Sequence, residues 1–95
     1  MPRYLIDREL PGAGKLSADE LRGIAAKSNG VLAAMGGRAH WVQSFVTDDA
    51  ITCVYDADNP EAVREHASIG GFPCNNIREV GAVIDPTTGI QVTQR

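Results

Sequence analysis

The sequence predicts a single α+β domain in which two helices cover one face of a four-stranded antiparallel sheet. Strand-like and helix-like segments follow one another in the order βαββαβ. Each helix-like segment opens with a recognisable start signal, and a chain of 95 residues has room for only one core. This order is the split βαβ, or ferredoxin-like, arrangement.

The first half of the chain supplies one strand and one helix. Residues 3–10 are apolar at their centre, alternate toward their end and are closed by a Pro-Gly pair, which predicts a strand. Ser17 and Glu20 have the spacing of a capping box, so a helix is expected to follow. Its apolar positions recur every three or four residues, and Gly36 and Gly37 predict its end.

The second half supplies a hairpin, a helix and a last strand. Residues 39–47 and 50–57 are rich in β-branched and aromatic side chains, with a tight turn at residues 48–49. Asn59 followed by Pro60 marks the start of a helix that should run to about Ile69. Residues 77–84 are predicted to form the last strand. The predicted domain therefore spans residues 1–86, followed by a tail, 87–95, with one weak alternation at its Ile and Val.

The turn between the two hairpin strands fixes which side chains share a face. Counting outward from it places Val46 opposite Ile51, Ser44 opposite Cys53, and Val42 opposite Tyr55, on the face that the helices should cover. The alternate residues then share the other, open face. They are Trp41, Gln43, Phe45, Thr47, Thr52, Val54 and Asp56.

The open face predicts a homodimer. Large apolar side chains such as Trp41 and Phe45 would form an exposed patch of the kind that marks an interface or a ligand site. A chain this short also buries little surface alone. We therefore expect two copies to pack sheet on sheet around a cavity, on which polar side chains converge as candidate ligand-binding groups. They are Gln43, Asp56, Asp7 and Glu79, and the aromatic residues Trp41 and Phe45 either only pack in the interface or also belong to the ligand-binding set.

Composition and charge exclude several classes of function. The net charge is −3 and the nine basic residues are scattered singly, which is unlike the basic patch of a nucleic-acid-binding protein. No run of residues is apolar enough to span a membrane, and the amino terminus has no secretory signal. Two cysteines are too few for a disulfide framework. We therefore expect a cytoplasmic protein.

The metal-ligand inventory is small. The chain has two histidines, His40 and His66, and neither belongs to a recognised metal-binding motif. His66 lies among the small and apolar residues of the second helix, so a buried, hydrogen-bonded core role is an alternative to ligation. Imidazole binds nickel, zinc and copper. Candidate ligands are therefore His66, His40, Asp7, Glu65 and Glu79.

Several segments together resemble a known family. They are YLIDR at 4–8, WVQSFVTDD at 41–49, CVYDA at 53–57 and REHA at 64–67, extended by GFP at 71–73 and VIDP at 83–86. The chain resembles the small nickel-binding, dimeric ferredoxin-like family long catalogued as a domain of unknown function. The resemblance implies a dimeric fold and nickel binding, without an established reaction.

Two positions depart from that family. The position of Gln43 is often His in its members, and that of Thr52 is often Tyr. An amide oxygen is a poorer nickel ligand than a ring nitrogen, so the resemblance implies at most a weakened nickel site.

Two functions follow from the sequence. The first is a metal-binding or metal-responsive homodimer without established catalysis. The second is a small-molecule binder or cofactor-independent enzyme that uses an aromatic-lined cavity between the two sheets of the dimer. This second function is inferred by analogy with other proteins of the same fold. No nucleophile and base can be paired from the sequence, which leaves the question of an enzyme open.

Overall fold

A computed structural model of the chain describes residues 1–90, which form four strands and two α-helices in the expected order. The ferredoxin-like α+β prediction is confirmed. The elements are β1 (Arg3–Glu9), α1 (Ala18–Ala34), β2 (Ala39–Val46), β3 (Ala50–Ala57), α2 (Pro60–Gly70) and β4 (Asn76–Glu79). Among residues 1–90, no helix has the length and apolar character needed to cross a membrane. The predicted alternation at Val92 lies outside the described residues.

The sheet has the order β2-β3-β1-β4, and every neighbouring pair is antiparallel. Ile6 at the centre of β1 pairs with Cys53 on β3 and with Ile77 on β4. The core forms on this face of the sheet, beneath the helices, and contains Tyr4, Ile6 and Val63 at 2% exposure or less. The opposite face is not covered by either helix.

Both helices begin at the predicted caps. Ser17 Oγ accepts from the backbone N–H of Glu20 at 3.1 Å, and a Glu20 carboxylate oxygen accepts from the Ser17 N–H at 3.0 Å. These hydrogen bonds hold the pKa of Glu20 below its ordinary value. Asn59 Oδ1 accepts from the Ala62 N–H at 2.9 Å. The helix α2 ends at Gly70 and is capped by Gly71, whose φ of 68° is a left-handed conformation suited to glycine.

The hairpin contains a β-bulge that changes the predicted faces. Val46 pairs with Ile51 and Ser44 with Cys53 as expected, but the register shifts between Trp41 and Gln43, so Trp41 rather than Val42 lies opposite Tyr55. One extra residue in one strand reverses the alternation beyond that point. The prediction that Trp41 lies on the open face is therefore wrong.

The strand β4 is shorter than predicted. It ends at Glu79 instead of continuing to residue 84, and Val83 and Ile84 are exposed. The backbone N–H of Val80 still donates to the Arg3 carbonyl oxygen at 2.8 Å. The neighbouring strand begins at Arg3, so the residues after Val80 have no strand to pair with.

Candidate functional site

Polar side chains lie in the core between the helices and the sheet. Alternation along β1 places Arg8 on the same face as Tyr4 and Ile6, and alternation along β3 places Cys53 and Tyr55 on that face too. The helices add Ser28 from α1 and His66 from α2. Arg8, Ser28 and His66 are 5%, 4% and 1% exposed. We call Arg8, Ser28, Cys53, Tyr55 and His66 the core polar cluster.

Ser28 links the two helices to the sheet. Its hydroxyl lies 3.1 Å from the Tyr55 hydroxyl and 3.0 Å from Nε2 of His66. Burial raises the pKa of Tyr55, so its hydroxyl stays protonated. The His66 ring also packs 5.2 Å from the Phe72 ring, and its Nδ1 has no hydrogen-bond partner within residues 1–90.

Arg8 is the charged member of the core polar cluster. Its Nε donates to Cys53 Sγ at 3.3 Å, and its Nη1 donates to the Pro73 carbonyl oxygen at 2.6 Å. The guanidinium also lies over the rings of Tyr55 and Phe72, at 6.0 Å and 5.5 Å from their centres. Its Nη2 has no partner in the part of the chain that the structure describes.

The environment of His66 keeps its ring neutral. Burial in the core, followed by the nearby positive charge of Arg8, lowers the pKa of His66 from 6.5 to about 4. Ser28 and His66 have the contact of a nucleophile and a base, but an imidazole with a pKa near 4 is a weak base at neutral pH. Within residues 1–90 no carboxylate pairs with Nδ1 to strengthen it. The pair is a structural hydrogen bond.

A cavity of about 430 Å³ lies between α1 and the helix-covered face of the sheet. The cavity is within the size range of ligand sites. Trp41 and Tyr55 are part of its wall, and their rings are stacked 6.4 Å apart. The Trp41 indole N–H donates to Ser44 Oγ at 2.9 Å, which fixes the ring against β2. An aromatic-lined cavity therefore lies inside one chain, beneath α1.

The open face carries the other candidate ligand-binding residues. Gln43 pairs with Val54, and Phe45, which is 53% exposed, pairs with Thr52. His40 lies opposite Asp56. The structure thus keeps Gln43, Phe45 and Asp56 on one face and adds His40, while Trp41 lies on the other.

Ion pairs engage three of the predicted carboxylates: Asp56, a candidate ligand-binding group, and Asp7 and Glu65, candidate metal ligands. Asp56 accepts two hydrogen bonds from Arg3, at 2.7 and 3.0 Å, which lower the pKa of its carboxyl. Asp7 on the open face lies 3.1 Å from Arg78. Glu65 pairs with Arg38 on the outer surface.

Two further predicted metal ligands, Glu79 and His66, do not lie on the open face. Glu79 pairs in register with Tyr4, so it lies on the helix-covered side of the sheet, and its expected convergence with Asp7 on the open face is wrong. His66 is enclosed in the core. Within residues 1–90, no group of three His, Cys, Asp or Glu side chains is placed to hold a metal ion. A nickel centre therefore does not fit within one copy of the described chain.

Sequence reasoning missed two important members of the core polar cluster. Arg8 follows Tyr4 and Ile6 at a spacing of two, which puts its charge on the buried face of β1. Ser28 lies on the buried stripe of α1, at a position that the helical periodicity assigns to packing. The signal for both was a polar residue at a core position of a periodic segment.

Comparisons with known proteins agree with this fold. The family model described as "Nickel responsive protein SCO4226-like" matches residues 4–80. Among solved structures, the crystal structure of SCO4226 from Streptomyces coelicolor A3(2) superposes with a TM-score of 0.73 at 18% identity, covering 86% of this chain and 99% of that one. A search of curated proteins found no significant relative. Because the family model spans most of the chain, this protein belongs to the SCO4226-like family of nickel-responsive proteins.

Proposed function

We propose that this protein is a cytoplasmic, non-catalytic homodimer that responds to nickel, or to a similar divalent ion, through a weak site shared by two copies. The family supports nickel responsiveness. The observation that carries the rest is the open face, where His40 and Asp56 are cross-strand neighbours beside exposed apolar surface. The free cysteines suit a reducing compartment.

The exposed apolar surface supports the dimer. Phe45 is 53% exposed on the open face; Leu5 on that face is half-buried, and Val54 is already buried within one chain, at 8% exposure. A second sheet packed against this face would remove the aromatic ring from water, at roughly 25 cal/mol for each Å² of apolar area buried. Closed twofold pairing is also the commonest way in which a small soluble domain gains buried surface.

Pairing of two copies also supplies the ligands that one copy lacks. One chain offers a single accessible imidazole, His40, whereas two chains offer two, together with two copies of Asp56. Imidazole nitrogen and carboxylate oxygen form a ligand set that nickel accepts. Asp56 is already engaged with Arg3, so metal binding has to compete with that ion pair and is expected to be weak.

The dimer is tested by light scattering coupled to size-exclusion chromatography. We expect a mass twice the 10.1 kDa of one chain, and a shift toward the monomer for Phe45→Ser. Ile69→Ser is the matched control, because Ile69 is similarly exposed, at 58%, but lies on α2. A wild-type mass that stays at the monomer across concentrations contradicts the proposed interface.

The metal site is tested by calorimetric titration of untagged protein with Ni²⁺ at pH 7.5 and pH 5.5. We expect weak binding at pH 7.5 and weaker binding at pH 5.5, because protons compete for imidazole below about pH 6.5. His40→Gln should abolish binding, whereas His66→Gln should retain it, since His66 is enclosed. Tight binding that does not depend on pH would contradict an imidazole site and favour carboxylate ligands.

A further inference from the structure

The cavity beneath α1 combines apolar walls with one buried charge. Leu21 and Ile24 from α1 and Val46 from β2 are among its lining residues, and Val46 is 41% exposed, so the cavity opens to solvent between these elements. Deeper in, the walls include Trp41 and Tyr55. Its volume of about 430 Å³ is that of a site for a small organic molecule.

Arg8 lines this cavity without a negative partner. Arg8 is only 5% exposed, and none of the acidic residues in positions 1–90 forms an ion pair with it. The guanidinium is stabilised in part by Cys53 Sγ, by the Pro73 carbonyl oxygen and by the rings of Tyr55 and Phe72. A buried charge without a counter-ion is costly, and the unpartnered Nη2 is a donor that an incoming acceptor would satisfy.

The remaining lining residues favour an anion. Lys27 is the other charged residue among them, and its ammonium lies 5.5 Å from the centre of the Phe72 ring, the ring that Arg8 also contacts. No Asp or Glu from the described part of the chain lines the cavity. The two cations would therefore attract a negative group and leave its apolar remainder to the aromatic and aliphatic walls.

We propose that this cavity binds a small monocarboxylate with an apolar body, whose carboxylate pairs with Arg8 and whose body lies against Trp41 and Tyr55. A carboxylate carries one negative charge for the one guanidinium and can accept from Nη2 while the bonds of Nε and Nη1 stay in place. A phosphate ester suits the cavity less well, because a dianion needs several donors and, within residues 1–90, Nη2 is the one Arg8 nitrogen without a partner. The inference is independent of the nickel site on the opposite face of the sheet.

Trp41, the single tryptophan of the chain, reports on the cavity directly. The experiment titrates the protein with decanoate and, separately, with decan-1-ol, below the concentrations at which they aggregate, and follows Trp41 emission. We expect saturable decanoate binding about ten- to a hundredfold tighter than that of the alcohol, the range of a hydrogen bond to a charged group. Equal affinities, or no binding of decanoate, would overturn the proposal.

Variants then locate the carboxylate. Arg8→Met keeps an unbranched apolar stem but removes the guanidinium, and it should abolish the preference for decanoate over decan-1-ol. Arg64→Met is the matched control, because Arg64 is exposed on α2 and paired with Glu61, and it should leave the preference intact. If Arg8→Met fails to fold, the guanidinium Nε–H resonance of Arg8 in the wild type is followed by NMR. Its shift on addition of decanoate supports the site, and an unchanged resonance overturns it.

Discussion

The burial of His66 makes the stability of this protein depend on acidity. In the folded chain the ring faces Ser28 on α1, Tyr55 on β3 and the positive charge of Arg8 on β1, and its pKa is about 4. In the unfolded chain an unperturbed imidazole titrates near pH 6.5. Between those two values the unfolded state binds a proton that the folded state does not, so acid favours unfolding.

The size of the effect follows from the difference between the two pKa values. The contribution of His66 is fully retained above about pH 6.5 and is lost as the pH falls toward 4, at up to about 1.4 kcal/mol per pH unit. Between pH 7.5 and pH 5.0 we therefore expect the free energy of unfolding to fall by about 2 kcal/mol through this one group.

The assay is urea unfolding followed by circular dichroism at pH 7.5 and pH 5.0, at one fixed protein concentration because association would also add to stability. His66→Gln should be less stable than the wild type at pH 7.5, yet its additional loss at pH 5.0 should be smaller by about 2 kcal/mol. His40→Gln, which leaves the buried ring in place, should keep the wild-type response to acid.

Two outcomes would refute this reasoning. The first is that His66→Gln and the wild type lose the same free energy of unfolding on going to pH 5.0. The second is that the His66 ring of the wild type protonates with a midpoint near pH 6.5 in an NMR titration. This measurement does not need the variant, so it applies even if His66→Gln does not fold.

Two further predictions concern the helices. Gly70→Ala should destabilise the protein by about 1–3 kcal/mol, because the new Cβ would overlap the Phe72 ring. Gly30→Ala on α1 is the control; its new Cβ meets open space, so the change should stabilise the protein by about 0.5–1 kcal/mol. Thermal unfolding of the pair compares them, and equal midpoints would show that the Phe72 ring moves aside freely. Ser17→Ala should cost about 1 kcal/mol because it removes half of the capping box with Glu20, and an unchanged urea midpoint would show that water replaces the cap.

The sequence predicted the elements well where local chemistry determines them. Both helix starts depend on side chains that bond to nearby backbone, Ser17 in α1 and Asn59 in α2, so their signals are complete within four residues. The end of β4 was missed because it depends on where its partner strand begins, at Arg3, which lies far away along the chain.

The candidate sites were predicted less well. A bulge has no distinct signal in the run from Trp41 to Gln43, yet it decided which face carries the tryptophan. The core polar cluster depends on contacts between residues as distant as Arg8 and Pro73 or Ser28 and His66. Periodicity identifies buried positions, but it does not show which buried polar groups meet.

The bulge also has a consequence for variation in chain length. The strand β2 contains two stretches of opposite phase, joined at Val42. Deletion of that one residue would give β2 a single uninterrupted phase and leave Trp41 opposite Tyr55, on the helix-covered side of the sheet. A homologue one residue shorter at this point would keep its aromatic ring toward its own interior, with no bulge in the strand. Alignments of such chains therefore need a gap at position 42 before their aromatic residues are compared.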